Sequence, residues 1–123
     1  LTATEAYAIE VNPRFQGTVE TVEAATGVNL FRMHMDACRG VLPDAVPKPR
    51  QFCVRRILAA PEPLVMKTDM RDLSGFITDI PYPGTAFEKG DVMFSVLGCG
   101  SSRAAAFSSL DKHITDAIQC IKI

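Results

Sequence analysis

The chain has 123 residues, 47% hydrophobic and 22% charged, an ordinary make-up for a soluble globular protein with a core of its own. With 13 basic against 14 acidic residues the formal charge is -1, so no global field draws it to nucleic acid or to an acidic membrane. It has no apolar run of membrane-spanning length and no basic-then-apolar leader, and its four cysteines, at positions 38, 53, 99 and 120, include no C-x-x-C pair, which together read as reduced thiols in a cytoplasmic protein.

Residues 5 to 12 are expected to form a strand. Successive side chains of a strand face opposite sides, so Glu10 and Asn12 share one face while Ile9 and Val11 take the other. Pro13 cannot donate to a sheet ladder and should end the strand, leaving Arg14 to swing out beside it. Thr18 is placed to cap a short helix that stops at Gly27. A second helix should come next, from Leu30 to Gly40, with Leu30, Met33, His34, Ala37 and Cys38 on one apolar stripe and His34 a packed or surface residue.

Pro43, Pro47 and Pro49 bar helix from residues 41 to 50, which read as a linker and an internal boundary. Beyond it the composition favours strands, expected over 52–60, 64–68, 76–80 and 92–97. Arg55 and Arg56 are adjacent and should point to opposite faces, one of them toward a carboxylate or a bound anion. Turns are expected at Pro81-Tyr82-Pro83-Gly84 and at Glu88-Lys89-Gly90-Asp91. Gly98-Cys99-Gly100 reads as a strand-to-helix turn. Phosphate could bind at such a turn, although no P-loop lysine accompanies it. Ser101 or Ser102 can cap the last helix, over 101–122, where Phe107, Leu110, Ile114, Ala117, Ile118 and Ile121 form one apolar face. The predicted class is therefore α+β. A strand and two helices fill 1–42, a Pro-rich linker 43–50, and 51–123 form a small antiparallel sheet packed on a long C-terminal helix.

The chemistry is concentrated at Glu10-Val11-Asn12-Pro13-Arg14. A carboxylate and an amide oxygen side by side suit a hard cation such as Mg²⁺ or Mn²⁺, which is commonly completed by phosphate oxygens and waters. An Arg next to such a metal is an electrostatic clamp for phosphate.

This motif, continued by Phe15-Gln16-Gly17 and by Val19-Glu20-Thr21-Val22-Glu23-Ala24-Ala25-Thr26-Gly27-Val28-Asn29-Leu30, resembles the last part of an ATP-grasp domain of the biotin carboxylase, carbamoyl phosphate synthetase and carboligase-like kind. The resemblance implies that Glu10 and Asn12 hold Mg²⁺, that Glu10, Asn12 and Arg14 serve ATP binding, and that Arg14 contacts the transferred phosphate or the acyl phosphate catalytically. It implies too that ATP is a co-substrate, that a small carboxylate is activated for attack by an amine or other nucleophile, and that the rest of the enzyme is a partner. Residues 51–123 more loosely resemble the accessory domain of carboligase-like proteins. The upstream lysines, glycine-rich flap and earlier acidic ligand of that superfamily have no counterpart here, so the chain is expected to be a C-terminal piece, inactive alone.

Two other readings fit parts of the chain. Met66-Lys67, Gly75-Phe76-Ile77 and Gly90-Asp91 resemble the order in biotinyl or lipoyl carrier domains, with Lys67 as the modified residue, though Thr68 stands where a second flanking Met is expected. The last helix could instead be an oligomerisation face, giving a homo-oligomer, since Ile121 and Ile123 leave apolar residues near the terminus.

Overall fold

The computed structural model describes Tyr7, Ile9, Glu10 and residues 14–121. Two short helices come first, α1 (Val19–Thr26) and α2 (Leu30–Cys38). They are succeeded by strands β1 (Phe52–Ala59), β2 (Leu64–Val65), β3 (Ile77–Thr78), β4 (Ala86–Phe87) and β5 (Val92–Gly100), and by the helix α3 (Arg103–Ile121). The α+β class is as predicted.

β5 is the centre of a three-stranded antiparallel sheet in the order β1-β5-β3, and β2 pairs with β4 in a separate two-stranded ribbon. Its sequence, Val92 to Gly100, is apolar and mostly buried, as a strand flanked on both edges and both faces should be. The β1–β5 register places Cys53 opposite Cys99, Arg55 opposite Leu97 and Ile57 opposite Ser95, with a bulge between Leu58 and Ala59. Opposed residues share a face, so Cys53, Arg55, Leu97 and Ser95 look one way while Val54, Arg56, Gly98 and Val96 look the other.

α3 covers the second face. Phe94 and Val96 of β5 and Ala106, Leu110 and Ala117 of α3 form the floor of the core with Ile77, Met66 and Met70, all essentially removed from solvent. Each large side chain here stabilises the fold by about 1.5–3 kcal/mol through the apolar surface it buries. The helix starts where Ser102 Oγ accepts from Ala105 N at 3.1 Å, so of the two serines the second is the cap. His113 on α3 stacks on Phe76 at 4.1 Å between ring centroids, and its Nδ1 donates to Leu97 O at 2.7 Å.

The glycines of β5 explain the close approach of helix and strand. A β-carbon on Gly98 would lie 2.6 Å from Leu110 Cα, and one on Gly100 2.7 Å from Ala105 Cβ. This corrects the expected turn: Gly98-Cys99-Gly100 is strand, and its glycines make room for the α3 backbone.

α1 lies over the other face of β1 and β5. It ends at Gly27, left-handed at φ 75, as expected of a C-cap. The linker returns to close it: Arg50 N donates to Ala25 O at 2.7 Å, Gln51 Nε2 to Ala24 O at 2.9 Å, and the Arg50 guanidinium lies beside Gly27. Glu23 Oε1 accepts from Leu30 N at 2.6 Å and fixes the step from α1 to α2, whose N-cap Asn29 accepts from Arg32 N. By contrast α2 buries none of its residues, and its stripe meets no core among the described residues.

Candidate functional site

Of the predicted strand over 5–12, the described residues Tyr7, Ile9 and Glu10 form no β-ladder, and Asn12 lies outside the described residues. Glu10 and Arg14 are both exposed, and Arg14 sits at a bend. The residues just after Arg14 are well anchored. Phe15 packs on Phe31 and on His34 of α2, at 5.8 and 5.4 Å between ring centroids, and Gln16 O accepts from Val19 N at 2.9 Å to open α1. Thr18 precedes α1 as expected, but its hydroxyl caps nothing; its carbonyl accepts from Val22 N instead. Arg14 therefore projects from a turn held on one side by α2 and on the other by the start of α1.

Beneath that turn is Arg55, which the sequence singles out only as one of an adjacent pair. The pair divides as expected. Arg56 points to α3, 3.8 Å from Asp111, and Arg55 points to α1, where Nη2 donates to Asp79 Oδ2 at 2.9 Å. The Arg55 side chain is only 18% exposed. Ser95, fully buried, donates from Oγ to the same Asp79 oxygen at 3.0 Å. Asp79 itself holds a left-handed backbone, φ 59, which Asp tolerates better than most residues. Among the described residues, three buried side-chain atoms have no hydrogen-bond partner: Glu20 Oε2, Arg55 Nε and Thr78 Oγ1. Thr78 opposes Ser95 and so shares the Arg55 face of the sheet, the one α1 covers, and Glu20 belongs to α1. A polar layer thus lies between α1 and the sheet, directly under the turn after Arg14.

Cys53 and Cys99 face each other on that same side, and all four cysteines are free thiols. Burial, and then the neighbouring Cys99 thiol, push the Cys53 thiol up to about 12, so it is not a nucleophile at neutral pH. Lys67 is exposed just after β2, between the fully buried Met66 and the Asp69 turn, where Asp69 pairs with Arg71. That exposed Arg71 contact holds the Asp69 carboxyl below the usual carboxylate range. The inner face of α3 is given to the sheet, and Phe107 and Ile118 are partly exposed.

Two clefts remain. One of about 490 Å³ lies between α1, α2 and the linker, walled by Thr26, Val28, Met33, Pro43, Lys48 and Arg50. Another, of about 570 Å³, is an apolar groove lined by Leu58, Pro61, Leu64, Met93, Ile118 and Ile121. Among the described residues no group of three or more His, Cys, Asp or Glu is placed to hold a metal, and no helix is long and apolar enough to cross a membrane.

No family model matches the chain, and no solved structure matches it. An uncharacterized protein of Methanocaldococcus jannaschii is 33% identical over 91 residues, which is 74% of this chain. The chain spans 22% of the length of that relative.

Proposed function

We propose that this chain is the C-terminal part of an ATP-grasp ligase, which uses ATP and Mg²⁺ to activate a small carboxylate as an acyl phosphate for attack by an amine or another nucleophile. One observation carries the proposal. The Glu10-x-Asn12-x-Arg14 order continues into an anchored turn and two consecutive helices, and Arg14 and Glu10 stand exposed at its head.

The donor set suits the ion. Glu10 offers a carboxylate and Asn12 an amide oxygen, both hard ligands, and the remaining positions fall to phosphate oxygens, water and the rest of the enzyme. When bound, Mg²⁺ offsets the charge that accumulates on the phosphate oxygens. Arg14 adds a fixed guanidinium with five donors, which binds phosphate oxygens through the transfer and requires no proton exchange. Its turn is anchored through Phe15 and Gln16, so the guanidinium starts from a defined backbone position.

The rest of such an enzyme has a surface to occupy. Phe15, Val22, Phe31 and Met35 expose apolar side chains around α1 and α2, with Phe31 60% exposed and in ring contact with Phe15. Exposed apolar side chains such as these suit contact with another part of a protein. The span of only 22% of the archaeal relative supports a longer parent chain.

Hydroxylamine trapping tests the reading. The full-length protein incubated with Mg²⁺-ATP, hydroxylamine and a panel of small carboxylates is expected to release ADP and form a hydroxamate with at least one of them. ADP release with no hydroxamate from any carboxylate that stimulates it would contradict an acyl-phosphate ligase.

A further inference from the structure

Arg55 is distant in sequence from the Glu10–Arg14 segment, yet its guanidinium lies immediately under Gly17. A β-carbon placed on Gly17 would be 2.6 Å from Nη1 and 2.7 Å from both Cζ and Nη2. Near-equal distances to three atoms of a planar group mean that the backbone rests on the guanidinium face, not on its edge. The group is pinned from the side by Asp79 at 2.9 Å, and Asp79 in turn by the buried Ser95 at 3.0 Å. Glycine is the residue that allows a backbone so close.

We infer that Arg55 is a positioning residue for the proposed nucleotide and metal site. Its guanidinium, held by Asp79 and Ser95, is the platform on which the Gly17 turn rests, and so it fixes where Arg14 projects. This rests on the ligase reading. It gives the α+β half of the chain a part in the chemistry without contact with substrate: the sheet sets the position of the Arg14 turn through one planar cation. Lysine cannot replace it, because a point charge on a flexible stem keeps the pairing with Asp79 but offers no face to the backbone.

The test uses the full-length protein and the variants Arg55→Lys and Gly17→Ala, the second of which pushes the guanidinium off its seat with a β-carbon. Two quantities are read: amide hydrogen exchange over residues 14–19, and the Mg²⁺ concentration for half-maximal ADP formation. Both variants are expected to speed exchange over 14–19 while β5 stays protected, and to raise the half-saturating Mg²⁺ about tenfold or more, the scale on which groups that orient a metal's ligands act. Unchanged exchange over 14–19, an unchanged Mg²⁺ requirement, or loss of protection spread equally over β1 and β5 would each overturn the positioning role in an active enzyme. A parent that turns over no Mg²⁺-ATP at all removes the ligase reading first, and the positioning role with it.

Discussion

Gly98 of β5 lies against Leu110 of α3 with no room between them for a β-carbon, which would stand 2.6 Å from the Leu110 Cα. The neighbour is backbone, so no rotamer change relieves the clash, and α3 itself must shift. Gly98→Ala is expected to lower stability by about 1–3 kcal/mol, read as a lower midpoint in urea with an unchanged slope.

The two halves of the chain should respond differently to truncation. Phe94 is fully buried between the sheet and α3, and Phe94→Ala should cost about 3–5 kcal/mol. Phe31 on α2 is largely exposed and loses only its ring contact with Phe15, so Phe31→Ala in this polypeptide should cost about 0.5–1.5 kcal/mol. In the full-length protein the same Phe31→Ala should cost clearly more, because there its ring is proposed to be covered. Equal effects in the two settings, measured by urea denaturation, would argue against a covered α2.

β1, β5 and α3 are legible in the sequence because each is long enough for its period to show: β-branched and apolar runs for the strands, a 3.6-residue repeat for the helix. The stop at Gly27 and the turns closed by Gly84 and Gly90 are legible too, since all three glycines hold the positive φ that their residue type permits. β2, β3 and β4 shrink to two residues each, which no periodicity resolves, and the ribbon β2–β4 has no local signal at Ala86-Phe87. Gly98 and Gly100 read as a turn because a glycine needed for tertiary contact looks the same in sequence as one needed for a bend. For the candidate site, the Arg55–Arg56 split is visible from alternation alone. The partners of Arg55 are not, since Asp79 and Gly17 are brought to it only by the folded sheet and α1.

Thiol chemistry should follow burial. Cys38 is exposed and is expected to alkylate first at pH 8, with Cys53 the slower, which mass mapping of partial labelling would show. Cys53 also makes stability depend on alkaline pH. Its folded value, about 12, lies above the ordinary 9.0, so the thiol is protonated in folded and unfolded chains alike below pH 9 and its contribution is fully present there. That contribution is lost as pH rises from 9 toward 12, because only the unfolded chain then releases the proton easily. Cys53→Ala should flatten this fall. An identical fall in the variant would assign it to another group.

Glu10→Gln in the full-length protein keeps the size of the side chain and removes its charge, which weakens the proposed hold on Mg²⁺. ADP formation is expected to drop on the order of 10²–10³-fold, with an unchanged melting temperature because Glu10 is exposed. Wild-type turnover across a Mg²⁺ titration would remove Glu10 from the site.

The most direct measurement is calorimetric titration with Mg²⁺-ATP of this polypeptide and of the full-length protein side by side. Binding by the full-length protein and none by residues 1–123 alone is the predicted result, since on the proposed reading Glu10, Asn12 and Arg14 supply only one side of the ATP site. Absence of binding by both would contradict the ligase assignment at its root.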